Sequence, residues 1–198
     1  MRVLLMRHGQ TAANVKRLYN GRTDDPLCDE GVNQATLSGT DPKTKCLYAS
    51  PMKRALETAR IKFPNAEITV THALREMNFG DFEGRGYEEL KLDATYQSWV
   101  DSGGALACPN GDKMSDFSDR VCSAFDALVL KCVAQGDEEL VIVAHGGTLM
   151  AILGRYARPE RPYYEWYVDN CCGYRAEVNN SSWSDAPALT DCTMFETL

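Results

Sequence analysis

Four segments of the chain join a short apolar run to residues suited to holding an anion. Val3 to Met6 leads into Arg7-His8-Gly9-Gln10-Thr11, and Leu140 to Ala144 leads into His145-Gly146-Gly147-Thr148, so a histidine beside glycine follows two separate runs. Cys46 to Ala49 leads into Ser50-Pro51-Met52-Lys53-Arg54, and Ile68 to Val70 leads toward Leu74-Arg75-Glu76. A guanidinium offers phosphate oxygens a planar fork of donors. A neutral imidazole can donate to them or attack phosphorus, and nearby Arg charge disfavours imidazolium and keeps the ring ready to attack. Breaking a phosphate ester also needs a proton on the departing oxygen, for which Glu76 is the candidate acid, its protonated form favoured by desolvation and by an incoming dianion. Taken singly, a histidine after a strand is a satisfied polar residue, Arg54 a solvated helix residue and Glu76 a surface carboxylate. Their joint placement makes Arg7, His8, Arg54, Glu76 and His145 a candidate phosphoryl-transfer set; His72 lacks such company and reads as structural or exposed.

The elements that must position this set follow from periodicity. The apolar runs are short and nearly continuous, as in strands buried on both faces, and a further strand is expected near Tyr174 to Val178. Ser50-Pro51 reads as an N-cap and first helical residue of a helix through Arg54, Ala55, Ala59 and Ile61. A longer helix is expected from about Ser115 to Val133, with Phe117, Val121, Phe125, Leu128 and Cys132 on one face and Gly136 beyond its end. Strands alternating with helices indicate a three-layer α/β/α sandwich on a largely parallel sheet, and ligands of such sheets bind at the carboxyl ends of the strands. The amides opening the helix after His145 are then free to hold an anion. A single domain over 1–198 is expected, with a lid-like insert at about 85–113 in which Tyr87, Tyr96 and Trp99 serve packing more than stacking on a ligand. The stretch from Trp183 carries no firm signal.

Composition removes several alternatives. The 198 residues are 44% hydrophobic and 25% charged, the usage of a globular domain large enough to fold without metal or disulfide staples. The net charge of -7 lacks the basic stripe that a nucleic-acid backbone requires. No apolar run suits a membrane span or the core of a signal peptide, so a cytoplasmic protein is expected, a monomer or homodimer. The eight Cys show no C-x-x-C spacing, and the three His lie far apart, which fits free thiols and disfavours a zinc site.

The run Leu5-Met6-Arg7-His8-Gly9-Gln10-Thr11 with Asn14 resembles the Arg-His-Gly signature of the histidine phosphatase superfamily, which is also called phosphoglycerate mutase-like. The resemblance continues through Tyr19-Asn20-Gly21, Ser50-Pro51-Met52-Lys53-Arg54-Ala55, Leu74-Arg75-Glu76, Gly80-Asp81-Phe82-Glu83-Gly84 and Ala144-His145-Gly146-Gly147. It implies that His8 accepts the phosphoryl group as phosphohistidine, that Arg7, Arg54 and His145 hold it, and that Glu76 donates a proton and later serves as base. Asn14 and Thr23 would be secondary substrate contacts and Gly146 a backbone donor; no metal or cofactor is implied, and the substrate would be a small phosphate monoester. Tyr96-Gln97-Ser98-Trp99, Pro109-Asn110-Gly111-Asp112 and Val168-Asp169-Asn170-Cys171 are similar to alpha-ribazole phosphatases of cobalamin synthesis. A broad-specificity small-molecule phosphatase, a phosphoglycerate mutase and a catalytically silent phosphate-binding module are the other readings. The chain departs from the family pattern at Gln10, at Asp112 and at Cys28, where the Thr or Ser that would cap the next helix is missing.

Overall fold

The computed structural model covers residues 1–198. The chain runs through β1 (Arg2–Arg7), α1 (Ala12–Val15), α2 (Asp29–Leu37), β2 (Cys46–Ala49), α3 (Lys53–Lys62), β3 (Glu67–Val70), α4 (Tyr87–Leu90), α5 (Ala94–Asp101), α6 (Met114–Gln135), β4 (Glu139–Ala144), α7 (Gly146–Tyr156), β5 (Gly173–Val178) and β6 (Leu189–Phe195). One six-stranded sheet has the order β3-β2-β4-β1-β5-β6. The first four of these strands are parallel, and β5 and β6 continue the sheet antiparallel.

The period of two along each strand separates two cores. Val3 and Leu5 of β1 and Leu140 and Ile142 of β4 join Phe117, Phe125 and Ile152 of α6 and α7 on one face. Leu4, Met6, Val141 and Val143 meet Ala55, Ala59 and Phe63, at and just beyond α3, on the other. This is the expected three-layer arrangement, and it leaves the ends of the central strands to the site. Gly136 stops α6 with φ of +74°, a left-handed turn for which glycine is the natural residue.

Two local expectations change, the start of α3 and the packing of Tyr87, and the region after Trp183 gains a strand. Helix α3 begins at Lys53 with Met52 as its cap, not at Ser50-Pro51. The Ser50 amide still bonds the Val143 carbonyl at 3.0 Å, so the chain remains in the β ladder there and Pro51-Met52 make the turn. The unassigned region after Trp183 contains β6, an edge strand whose sequence LTDCTMF buries only its ends fully. Segment 85–113 forms α4 and α5, where Tyr96 and Trp99 pack edge-on or tilted against Tyr19 and Phe82, while Tyr87 is exposed. As expected, Cys28 at the N-cap of α2 makes no side-chain capping bond. No helix is long and apolar enough to cross a membrane.

Candidate active site

Neighbouring strands deliver the central residues. Arg7 pairs with Ala144 across β1 and β4, so the next residues, His8 and His145, leave the sheet side by side with ring centroids 5.1 Å apart. Strand β2 lies on the other side of β4 and ends one residue before Ser50, whose Oγ meets His145 Nε2 at 2.7 Å. The separation of the two rings is close to the 4.7–4.9 Å between adjacent strands, and Ser50 reaches His145 across the next strand gap.

His8 is buried, and its Nδ1 lies 2.6 Å from the Gly9 carbonyl. A carbonyl only accepts, so Nδ1 carries the proton and Nε2 is the bare, nucleophilic nitrogen. Burial first, then the charges of Arg54 and Arg7, hold the His8 pKa well below the usual imidazole value of 6.5. His145 is held low in the same way, by burial and then by Arg54, His8 and Arg7. Its Nδ1 has no protein partner. Ser50 Oγ also lies 3.5 Å from the Met52 amide; in the tautomer in which the hydroxyl donates to Nε2, His145 keeps its proton on Nδ1 as an unused donor.

Arg54, the second residue of α3, is fully buried and makes no ion pair. Its guanidinium donates only to main-chain carbonyls: Nη1 to Thr23 at 2.7 Å, Nη2 to Gly21 at 2.9 Å and to Asn20 at 3.2 Å. Carbonyls satisfy its geometry without cancelling its charge, so the positive field remains for an anion. Arg7 Nη1 donates to the Val168 carbonyl at 2.7 Å, and Nε of both Arg7 and Arg54 lacks a partner. Buried unpaired donors are costly, at about 1–3 kcal/mol each. Of the six such side-chain donors, three lie on Arg7, Arg54 and His145, the residues expected to hold one phosphoryl group, and the others on Arg22, Trp99 and Trp166.

Glu76 is buried, and its carboxylate accepts from the Met77 amide at 2.9 Å and from the Gly147 amide at 2.8 Å. The first turn of α7 thus does receive an acidic group, but the group is the protein's own carboxyl. A Cβ at Gly147 would stand 2.3 Å from Glu76 Oε1, so this approach requires glycine. Burial raises the Glu76 pKa above the usual carboxylate value, against the opposing pull of the two amides, Arg54 and Arg7.

The remaining expected contacts lie around this centre. Asn14 Oδ1 accepts from the Thr11 amide and hydroxyl in a capping box, and lies 3.4 Å from the Asn170 amide group. The Thr23 hydroxyl donates to Glu83, and the carbonyl of Thr23 serves Arg54. Gly146 sits against Arg7, whose Nε would be 3.5 Å from a Cβ there. Sequence reasoning missed the supporting roles of Ser50, Gly147 and Asn170, the last of which donates to the His8 carbonyl at 2.9 Å. The doubled glycine after His145 was the available signal for Gly147; for Asn170 it was the resemblance of Val168-Asp169-Asn170-Cys171, which does not state its partner.

From Glu76 and Gly147 a cavity of about 510 Å³ extends over Tyr19, Met77, Phe79, Tyr96, Trp99, Met150 and Tyr163. Of its 17 lining residues 12 are hydrophobic, and none is Lys, Arg or His. Tyr87, Tyr96, Gln97, Trp99, Val100, Gly103 and Gly104 bring segment 85–113 into this wall.

Comparison with known proteins places the geometry in context. Residues 3–185 match the family described as the histidine phosphatase superfamily (branch 1). An adenosylcobalamin/alpha-ribazole phosphatase of Salmonella typhimurium is 30% identical over an alignment of 208 positions, covering 100% of this chain and 94% of that protein. A 2,3-bisphosphoglycerate-dependent phosphoglycerate mutase of Parvibaculum lavamentivorans is 30% identical over 168 positions, covering 76% of this chain and 77% of its own. Among solved structures, the alpha-ribazole phosphatase of Shigella flexneri superposes with a TM-score of 0.83 at 28% identity, covering 100% of this chain and 98% of that one.

Proposed function

The chain belongs to the histidine phosphatase superfamily, branch 1, and from that premise we propose that it is a phosphomonoesterase working through phosphohistidine at His8, with alpha-ribazole 5'-phosphate as its substrate. His8 Nε2 attacks phosphorus while the ester P–O bond breaks. Arg7, Arg54 and the Nδ1 proton of His145 stabilise the equatorial oxygens, and Glu76 gives its proton to the departing oxygen. In the second half, the Glu76 carboxylate takes a proton from water as that water attacks phosphorus. The P–N bond then breaks, releasing inorganic phosphate and restoring His8 and protonated Glu76. Asn14, Thr23 and Gly146 are proposed as outer contacts of the same substrate.

The observation that carries the choice of substrate class is the cavity beside Glu76. An aromatic, uncharged wall suits a leaving group with a flat apolar ring, such as the benzimidazole base of alpha-ribazole. The leaving group of a phosphoglycerate carries a carboxylate, and this wall offers it no cation. That favours a phosphatase over a mutase and links discrimination to segment 85–113. The likeness to the Salmonella and Shigella proteins supports the same reading.

The test is phosphate release by the protein and by His8→Ala, in EDTA, from alpha-ribazole 5'-phosphate, 3-phosphoglycerate, phosphoserine, sugar phosphates and a chromogenic aryl ester. Strong preference for alpha-ribazole 5'-phosphate, abolished by His8→Ala, is expected. Equal turnover of all these esters would replace the assignment with a broad-specificity phosphatase, and transfer between 2- and 3-phosphoglycerate without phosphate release would replace it with a mutase.

A further inference from the structure

Glu83 lies outside the phosphoryl-transfer set, directly after the 3-10 turn Gly80–Phe82, and makes more hydrogen bonds than any residue of that set. Its carboxylate accepts from the amide of Gly21 at 3.0 and 3.1 Å, of Arg22 at 2.9 Å, of Thr23 at 3.3 Å and of Phe79 at 3.1 Å, and from the Thr23 hydroxyl at 3.0 Å. Three of those amides belong to the loop whose carbonyls, at Asn20, Gly21 and Thr23, grip the Arg54 guanidinium. The loop is therefore held from both sides. Its N–H groups point at a carboxylate and its C=O groups at a guanidinium, while the Tyr19 carbonyl is tied to the Gly84 amide at 2.9 Å.

Gly21 gives an independent sign that this contact is tight. A Cβ there would stand 1.8 Å from the Met77 carbonyl oxygen and 2.7 Å from Glu83 Oε1, so the loop sits against both with no room for a side chain. Met77 adjoins Glu76, which brings the loop, Glu83 and the acid into one packed unit.

We infer that Glu83 is a positioning residue for catalysis: by fixing the 20–23 loop it aims the loop carbonyls at Arg54 and so holds the guanidinium in register for a phosphoryl group. The inference rests on the reading of Arg54 as a phosphate ligand. Glu83→Gln is the sharpest perturbation, because the two carboxylate oxygens each take at least two donors, and an amide nitrogen in either place would face N–H groups it cannot accept from.

The experiment is a double-mutant cycle on Glu83→Gln and Arg54→Ala, read as the affinity for orthovanadate and inorganic phosphate and as kcat and KM on an aryl phosphate. Glu83→Gln alone should weaken oxyanion binding about tenfold or more, and in the Arg54→Ala background it should change it by less than about twofold. Glu83→Asp, which keeps the charge but shortens its reach, should fall between the wild type and Glu83→Gln and provides the readout if Glu83→Gln folds poorly. Additive losses, or a fall in thermal stability with unchanged oxyanion affinity, would overturn the inference and leave Arg54's role intact. An Arg54→Ala variant with undiminished oxyanion affinity would instead remove the underlying reading of Arg54, and the inference with it.

Discussion

Gly147→Ala should disable proton donation without disabling the fold. An added Cβ would stand 2.3 Å from Glu76 Oε1, 3.0 Å from Cδ and 3.1 Å from Oε2, all inside contact distance. The carboxyl group must retreat by about 1 Å, a displacement that can cost roughly 100-fold at a reacting centre. It also loses the 2.8 Å bond from the Gly147 amide, which favours the ionised form, so the Glu76 pKa should rise further. Gly147 stands in the first turn of α7, where Ala gains over Gly less than the about 1 kcal/mol of a helix interior, enough to offset part of the clash, so thermal stability should fall only modestly. The assay compares kcat/KM, which reports the first transfer, on an alkyl phosphate and a nitrophenyl phosphate. Nitrophenolate departs without a proton; an alkoxide does not. The variant should lose about 100-fold on the alkyl ester and less than about tenfold on the nitrophenyl ester. Equal losses on the two esters would refute Glu76 as the proton donor.

Three further outcomes follow from the same geometry. The activity of the wild type should decline on the acid side as His8 protonates, below pH 6.5, and on the basic side as Glu76 ionises, above the usual carboxylate range; because Arg54 lowers both pKa values, Arg54→Ala should move both limbs to higher pH, besides costing about 100-fold or more, and limbs that stay fixed would contradict the assigned groups. Trp99→Ala opens the aromatic wall and should raise KM for aryl and benzimidazole nucleotide esters about tenfold while leaving a small alkyl ester nearly unchanged, as measured by steady-state kinetics. Cys28→Ser supplies the missing side-chain cap of α2 on a backbone already extended there, φ of -81° and ψ of 170°, and should stabilise the protein by about 0.5–2 kcal/mol in denaturant unfolding, with activity unaltered.

The residues best read from the sequence were those whose chemistry coincides with a change of structure. His8 and His145 end apolar runs, so periodicity locates them at the same edge of a parallel sheet, and β1 and β4 do pair in that register. The missing cap at Cys28 was equally legible, because capping depends on one side chain. Strand β6 was not, since an edge strand buried chiefly at Leu189 and Phe195 lacks the apolar run that marks a central one. Ser50 looked like a helix cap because Ser-Pro is a common helix opening; its bond to His145 depends on β2 lying beside β4, which no local pattern states. Glu83 illustrates the same limit more strongly. The motif Gly80-Asp81-Phe82-Glu83-Gly84 marks it through the resemblance alone; most of its partners are backbone amides, which every residue except proline carries, so its role shows only in the folded loop.

The central claim, that His8 carries the phosphoryl group, is tested most directly by rapid acid-free quenching during turnover of an aryl phosphate, followed by peptide mass spectrometry under basic conditions. The expected result is one phosphoryl group on the peptide containing His8, formed in a burst, labile to acid and absent from His8→Ala. A stoichiometric phosphoryl group on another residue, or undiminished turnover by His8→Ala, would contradict the account.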